Sequence, residues 1–241
     1  MSVIIEESVK EKGLAFVMHG LGGHKEQAHI QTIADTFRQN NYTVVRFDTT
    51  NTFGESDGNY EDATTTNYYE DLEDVINWAK SQSWYMEPFV LVGHSLGGIC
   101  TSLYAENHPE KVNALAPIST VVSGKLSRTK YTNEELKDWK KNGIRVFKSV
   151  SGRIKRIKWV EHEDRLKYDL LKKVNLLKMP VLMIVGEKDT STPVEHQKIL
   201  FDKLPGKKEL HIIKEAPHTF IDEVHLKEIK KIFSKWAKGL N

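Results

Sequence analysis

The stretch from Phe89 to Gly98 constrains the fold of this chain more than any other feature of the sequence. It begins with Phe-Val-Leu-Val, four apolar residues that include two valines, which is typical of a short buried strand. A Gly-x-Ser-x-Gly turn centred on Ser95 follows at once, and the residues from Ile99 to His108 predict a helix that ends before Pro109. A strand, a sharp turn and a helix in this order place a serine side chain at the end of a strand, where it can act as a nucleophile.

Strands and helices alternate on both sides of this stretch. Short apolar runs predict strands, and apolar residues at helical spacing predict helices of about ten to fifteen residues between them. The sequence predicts strands at Leu14–Met18, Tyr42–Phe47, Phe89–Val92, Ala114–Ile118, Val181–Val185 and Leu210–Ile213, and helices at Ala28–Asn40, Tyr68–Lys80, Ile99–His108 and Val224–Lys238. This alternation favours an α/β fold with a doubly wound, mostly parallel sheet that helices cover on both faces.

The alternation stops between about residues 120 and 176. Residues 120–173 contain sixteen Lys/Arg and seven Asp/Glu, an excess of nine positive charges, whereas the whole chain carries a net charge of +2. We therefore predict a core of residues 1–119 and 177–241 and a basic cap insertion of residues 120–176, which forms two or three short amphipathic helices over the top of the sheet. Positive charge of this density usually forms a solvated face. Alternatively, part of it rims the substrate site, and the candidates are Arg145, Lys148, Arg153, Lys155, Arg156 and Lys158.

Catalytic residue types follow three of the predicted strands. Nucleophilic acyl transfer requires a serine, a histidine that takes its proton and a carboxylate that orients the histidine. Asp189 and His218 each follow a predicted strand, and loops at the carboxyl ends of parallel strands meet at one edge of a sheet. Ser95, Asp189 and His218 are therefore the predicted catalytic residues, in that chain order. Glu187 is the alternative acid, but its position relative to the end of the strand matches less well.

The glycine-rich loop after the first predicted strand supplies further candidates. The backbone N–H groups of Leu21 and Leu96 are the predicted donors of an oxyanion hole. His19 and Gly20 on the loop are predicted to line the substrate pocket, and His94 beside the serine is predicted either to pack against its neighbours or to line the pocket.

Composition and spacing argue against several other classes of protein. The near balance of charge does not indicate a nucleic-acid partner. Cys100 is the single cysteine, which excludes an internal disulfide and is typical of a reducing compartment. His19, His24 and His29 are five residues apart, which matches no zinc pattern, and the glycine-rich loop lacks the dinucleotide fingerprint. We therefore expect neither a metal nor a cofactor.

Targeting and membrane signals are equally weak in the sequence. The longest apolar run, Val181–Val185, is too short to span a membrane. The segment from Met1 to Gly13 lacks the basic and then apolar pattern of a signal peptide. We expect a soluble, cytoplasmic protein that is a monomer or a homodimer.

These motifs together resemble the α/β-hydrolases, and more narrowly the small capped serine esterases that include cinnamoyl (feruloyl) esterases and monoacylglycerol lipases. The resemblance is carried by His19–Gly23, Arg46–Asp48 with Gly54–Gly58, Gly93–Gly98, Gly186–Asp189 and Ala216–His218. It implies an α/β-hydrolase sheet with a cap between the sixth and seventh strands, where the basic insertion falls. In two respects the chain departs from the pattern. The loop after Asp48 is one residue longer than usual and lacks its first glycine, and the residues before Leu14 leave room for at most one strand.

The predicted function is hydrolysis of carboxylic esters of small to medium acyl or aryl acids, with an acyl-enzyme formed on Ser95. The expected partner is thus a small-molecule ester. Amide, thioester and carbon–carbon bond hydrolysis stay open as alternatives, because the same three residues serve all of them. The second hypothesis is a non-catalytic binding module of the same fold. A pure binding protein has no need for an acid and a base at distant strand ends, which argues against it.

Overall fold

A computed structural model describes residues 1–10, 12–148 and 152–240. The strands within them are β1 Val3–Glu6, β2 Gly13–Met18, β3 Tyr42–Phe47, β4 Phe89–His94, β5 Val112–Ile118, β6 Ile144–Lys148, β7 Ile154–Lys158, β8 Val181–Gly186 and β9 Lys208–Ile213. The α-helices are α1 Ala28–Gln39, α2 Thr65–Ala79, α3 Leu96–Asn107, α4 Gly124–Arg128, α5 Asn133–Asn142, α6 Trp159–Arg165, α7 Val194–Lys203 and α8 Glu223–Gly239.

Seven of these strands form one sheet in the order β1-β3-β2-β4-β5-β8-β9. The strand β1 is antiparallel to β3, and the other neighbours are parallel. All six predicted strands belong to this sheet, and the predicted doubly wound, mostly parallel architecture is confirmed.

Side chains on the two faces of the sheet enter two separate apolar cores. Along β2, the side chains of Leu14, Phe16 and Met18 belong to one core and those of Ala15 and Val17 to the other, because successive residues of a strand point to opposite faces. Residues of α2, α3 and α7 join the first core, and residues of α1 and α8 join the second. Since both faces are buried, the strands read as continuous apolar runs.

The basic insertion differs from its prediction in one element. The segment between β5 and β8 contains the helices α4, α5 and α6, but also the antiparallel hairpin β6–β7, where we predicted helices alone. The sequences Ile-Arg-Val-Phe-Lys and Ile-Lys-Arg-Ile-Lys mix apolar and charged residues with partial alternation, which suits a half-buried hairpin. The residues 149–151 of its connection lie outside the described part of the chain.

Counted along this chain, the insertion follows the fifth strand of the sheet and precedes the sixth, one strand earlier than the resemblance implies. The reason is that the described residues before Gly13 supply a single strand, β1. In the described ranges, no helix combines the length and the apolar character needed to cross a bilayer.

Candidate active site

The serine of the turn sits in a strained backbone conformation. Ser95 has φ 55° and ψ −113°, in a region that favours glycine. Neighbouring backbone holds it there: the Ser95 N–H donates to the Ile118 carbonyl at 2.9 Å, and the Val121 N–H donates to the Ser95 carbonyl at 3.2 Å. The turn is thus fastened to the end of β5.

Two glycines allow the turn to pack against its neighbours. A Cβ atom at Gly93 would collide with the backbone carbonyl of Gly97, and one at Gly97 would collide with the carbonyl of His19. The start of α3 can therefore lie directly against the loop that follows β2. This contact brings the Leu21 and Leu96 segments to the same edge of the sheet.

The predicted catalytic side chains meet at this edge in a continuous chain of hydrogen bonds. The Oγ atom of Ser95 lies 2.9 Å from Nε2 of His218, and Nδ1 of His218 lies 2.8 Å from Oδ2 of Asp189. Because a carboxylate only accepts hydrogen bonds, Nδ1 of neutral His218 carries the proton. Its Nε2 lone pair is then free to accept the hydroxyl proton of Ser95.

Four donors hold the Asp189 carboxylate. Its Oδ1 accepts the N–H groups of Ser191 at 2.8 Å and Thr192 at 2.9 Å, and its Oδ2 accepts the Thr192 hydroxyl at 2.8 Å as well as His218. Burial by itself would raise the pKa of Asp189, but His218 and the Thr192 donors outweigh it and hold that pKa well below its usual range. The rival acid, Glu187, is exposed and accepts the Glu215 N–H at 2.9 Å instead.

The predicted oxyanion donors occupy different surroundings. Leu96 is the first residue of α3, where a backbone N–H has no partner within the helix. Leu21 is half-buried on the loop after β2 and lines the cavity described below. Gly20 lies directly against the serine, since a Cβ atom there would come within 2.9 Å of the Ser95 Cβ.

His19 stabilises the loop after β2 from the interior of the protein. It is fully buried, its Nδ1 lies 2.8 Å from the Gly20 carbonyl, and its Nε2 accepts the Thr49 N–H at 3.1 Å. Burial lowers the pKa of His19 to about 4, so the ring is neutral at pH 7. Since both ring nitrogens are engaged within the protein, the geometry favours a positioning role for His19 over the predicted contact with substrate.

His94 supports His218, the predicted catalytic histidine, in a similar way. Its Nε2 donates to the backbone carbonyl of His218 at 2.9 Å, and the two rings lie 4.9 Å apart between centroids. Burial and the neighbouring His218 lower the pKa of His94 to about 3. The ring is 4 % exposed, which favours packing against the His218 loop, one of its two predicted roles, over lining of the pocket.

A buried ion pair that the sequence analysis missed anchors the loop after β2, on which His19 and Gly20 lie. The Lys25 ammonium lies 2.8 Å from the Asp48 carboxylate and 2.6 Å from Glu55, and both Lys25 and Asp48 are buried. Burial by itself would lower the pKa of Lys25 and raise that of Asp48. Their mutual hydrogen bond, with help from Glu55, reverses both shifts. The Arg-Phe-Asp segment at the end of β3 was a visible signal in the sequence, but the lysine that pairs with Asp48 was not.

A cavity of about 390 Å³ opens between this edge and the basic insertion. On the core side, Leu21 and the residues Thr190 and Ser191, which follow Asp189, line it. The insertion contributes aromatic and charged side chains on the opposite wall: Lys130, Tyr131, Trp139, Arg145, Phe147 and Glu161. Among the described residues, no three His, Cys, Asp or Glu side chains are grouped to hold a metal ion.

Comparisons with known proteins agree with this architecture. The family described as "Serine aminopeptidase, S33" matches residues 9–167, well over half of the chain. The human Protein ABHD12B is 25% identical over 187 residues, which cover 77% of this chain and 48% of that protein, so the match spans about half of that relative. The bovine "Palmitoyl-protein thioesterase ABHD10, mitochondrial" is 27% identical over 190 residues, 76% of this chain and 59% of that protein.

A solved structure shows the same fold over nearly the whole chain. The structure of Est1E from Butyrivibrio proteoclasticus with bound ferulic acid superposes with a TM-score of 0.84 at 21% identity. The superposition covers 99% of this chain and 94% of that one. At this level of identity the likeness establishes the fold and leaves the chemistry to the residues of this chain.

Proposed function

Because this chain belongs to the serine aminopeptidase S33 family and is an esterase-like or thioesterase-like serine hydrolase of the α/β-hydrolase type, we propose that Ser95, His218 and Asp189 are its catalytic triad. The proposed reaction is hydrolysis of small to medium carboxylic esters. The observation that carries the proposal is the pair of hydrogen bonds, 2.9 Å and 2.8 Å long, that links the three side chains in the required order.

In the first half of the reaction, Ser95 Oγ attacks the acyl carbon while His218 Nε2 takes the hydroxyl proton. The Asp189 carboxylate then faces an imidazolium and stabilises it electrostatically. The N–H groups of Leu21 and Leu96 donate to the oxyanion that forms, and the position of Leu96 at a helix N-terminus favours negative charge there. The tetrahedral intermediate collapses as His218 gives its proton to the leaving alcohol.

The second half of the reaction runs the same groups in reverse. A water molecule replaces the alcohol, His218 Nε2 takes its proton, and the hydroxide attacks the acyl-enzyme. Collapse of the second tetrahedral intermediate releases the acid and returns the proton to Ser95. Neutral His19 and His94 take no part in proton transfer and keep the loop of the oxyanion hole and the loop of His218 in place.

Thioester hydrolysis is the second candidate. It is favoured by the similarity to a relative described as a palmitoyl-protein thioesterase, which extends over 76% of this chain. The same triad attacks a thioester, and a thiolate is a better leaving group than an alkoxide. Parallel assays with an oxygen ester and a thioester of the same acyl group decide between the two by their kcat/KM values.

A fluorophosphonate probe tests the catalytic assignment directly. The wild-type protein should be labelled at Ser95, and Ser95→Ala should lose both the label and ester hydrolysis while keeping its fold. Ser102→Ala is a matched control, because Ser102 is a buried serine further along α3 whose hydroxyl donates to the Gly98 carbonyl. Labelling of folded Ser95→Ala, or its near-wild-type turnover of p-nitrophenyl acetate, would contradict the proposal.

We also propose two domains, a location and an oligomeric state for this chain. The division into a core of residues 1–119 and 177–241 and an insertion of residues 120–176 accords with the point at which the chain leaves the sheet after β5 and returns at β8. A cytoplasmic location and a monomeric or homodimeric state stay predictions, to be measured by fractionation and by light scattering.

A further inference from the structure

We propose that the cavity under the basic insertion recognises an anionic group, such as a carboxylate, carried by the ester substrate away from the bond that is cleaved. The inference rests on the proposed function and adds to it the chemical class of the substrate. Two cationic side chains of the insertion, Lys130 and Arg145, form the recognition site.

The first support is the placement of the two cations around one aromatic ring. The Lys130 ammonium lies 5.0 Å from the centroid of Tyr131, and the Arg145 guanidinium carbon lies 4.8 Å from the same centroid. Both cations line the cavity, and Arg145 also packs 4.9 Å from the centroid of Phe147. The two positive charges repel each other, and an anion bound near both would relieve this repulsion.

The second support is that the protein itself neutralises these charges poorly. Among the described residues, no carboxylate lies within ion-pair distance of Lys130. Arg145 approaches Glu135 at 3.8 Å, but the Glu135 side chain is half-exposed and also accepts the backbone N–H of Thr132. The cavity carboxylate of Glu161 is already paired with the buried Arg165. The cavity therefore has a net positive charge from Lys130 and Arg145, which is available to pair with an anionic substrate.

The third support is the state of Lys130. Lys130 is an exposed residue that also lines the cavity. Neighbouring protein and the Arg165 guanidinium lower the pKa of Lys130 to about 8, so it is still mainly cationic at neutral pH. A bound anion would stabilise this charge against the neighbouring cations.

Three of the six basic residues suggested by the sequence contact the core instead of the cavity. Arg156 and Lys158 pair with Glu61 and Asp62 of the core, and they join the hairpin β6–β7 to it. Lys155 lies 5.3 Å from the centroids of Phe53 and Tyr60. Of the six basic residues suggested by the sequence, the structure therefore places Arg145 in the cavity, and it adds Lys130.

The aromatic side chains of the cavity suit the rest of such a substrate. The Trp139 indole N–H donates to the Ile157 carbonyl at 3.1 Å, so its polar atom is satisfied within the protein and the buried ring adds apolar wall to the cavity. Trp139 and Tyr131 pack edge to face with centroids 5.7 Å apart. A volume of about 390 Å³ is at the lower end of the range for small-molecule sites, enough for an acyl chain or a single aryl ring with its anionic group.

Two matched ester pairs test the proposal. p-Nitrophenyl hydrogen adipate and p-nitrophenyl methyl adipate differ by one negative charge on the acyl side. 3-Acetoxybenzoate and its methyl ester differ in the same way on the alcohol side. We expect kcat/KM to favour the anionic member of at least one pair by about tenfold, mainly through KM, and to lose most of this preference between about 25 mM and about 500 mM KCl. Equal kcat/KM values within both pairs would overturn the proposal.

Charge-removing variants locate the effect. Lys130→Gln with Arg145→Gln should lower kcat/KM about tenfold for the preferred anionic ester and change the neutral ester less than about twofold, where a factor of ten is about 1.4 kcal/mol. The matched control is Lys140→Gln with Lys141→Gln, which removes the same charge from exposed positions of α5 outside the cavity. Arg145→Lys should retain most of the preference for the anionic ester, because it keeps the positive charge even though it loses the stacking on the aromatic rings. An equal loss in the control, or parallel losses for both esters, would show that the cations do not select the substrate.

Binding to an inactive protein separates this proposal from the catalytic one. Calorimetric titration of Ser95→Ala with monomethyl adipate and dimethyl adipate should show tighter binding of the monoanion, weakened by the loss of Lys130 and Arg145. A wild-type protein that cleaves no ester but binds the monoanion more tightly would refute the proposed reaction and support the anion site. Equal binding of the two compounds would refute the anion site alone.

Discussion

Replacing Asp189 by asparagine is the most informative single change, because the structure determines how the new amide must lie. The Oδ1 atom of Asp189 accepts two backbone N–H groups, from Ser191 and Thr192. In Asp189→Asn the amide oxygen has to stay at this position, since an NH2 group there would face two donors. The NH2 group therefore takes the place of Oδ2 and points at His218 Nδ1.

This orientation inverts the tautomer of His218, the proposed general base. Nδ1 of His218 must then accept a hydrogen bond, so the ring proton moves to Nε2, which can no longer take the proton of Ser95. In a different serine hydrolase, the equivalent change lowers kcat about 10⁴-fold. Four factors of ten at about 1.36 kcal/mol each amount to about 5.4 kcal/mol of lost transition-state stabilisation. The fold should persist, because the Thr192 hydroxyl can donate to the Ser119 carbonyl and accept from the new amide.

The assay is turnover of a p-nitrophenyl ester, with circular dichroism to verify the fold. Glu187→Gln is the matched control, since Glu187 is exposed and its contact with the Glu215 N–H survives as an amide oxygen. We expect the control to keep kcat within about twofold. If folded Asp189→Asn retains more than about a tenth of wild-type activity, or if Glu187→Gln is the more damaging variant, the acid has been assigned to the wrong residue.

Three further predictions concern the supporting residues. Asp48→Asn should destabilise the protein by about 3–5 kcal/mol, because the buried Lys25 ammonium loses its buried partner; a loss below about 1 kcal/mol in urea unfolding would contradict this. Since the pKa of Asp48 is lowered and that of Lys25 is raised, their stabilisation should be full between the ordinary pKa values of 3.8 and 10.5 and decline on either side in the same assay. His94→Phe, which loses the hydrogen bond to the His218 carbonyl, should lower kcat about tenfold with KM little changed; an effect on KM alone would argue against a positioning role. Burial raises the pKa of Cys100, so Ellman's reagent should react with it in denaturant and not in the native protein; rapid native reaction would contradict this.

The sheet, and the meeting of Ser95, Asp189 and His218 at one edge of it, could be predicted because both follow from local sequence. Six strands read as apolar runs, and Ser95, Asp189 and His218 each follow one of them. A parallel sheet then brings the ends of its strands to one edge, whatever the connections look like. The helix α7 escaped prediction because its buried side chains are Gln197 and Leu200, too few to produce a helical stripe of apolar residues.

The supporting contacts could not be predicted, because they join residues that are distant in sequence. Lys25 is a surface residue by type and is buried only because Asp48 and Glu55 fold around it. The cavity combines residues from Leu21 to Ser191, so neither its charge nor its shape exists in any one segment. The excess of positive charge in the insertion was visible in the sequence, but which cations were already paired became clear only from the fold.

Environment, not residue type, distinguishes the histidines at this edge of the sheet. His19 and His94 are buried and keep low pKa values, so at neutral pH each is a neutral ring that holds a backbone carbonyl or amide in place. The His218 side chain is 23 % exposed, lies beside a buried carboxylate and faces the Ser95 hydroxyl. A positive charge that forms on the His218 ring is stabilised by its hydrogen bond to Asp189, whereas on His19 or His94 the cost of burial outweighs the nearby carboxylates. In the proposed reaction, proton transfer is therefore confined to His218, whose ring contacts Ser95. The buried rings of His19 and His94 keep the neighbouring loops rigid.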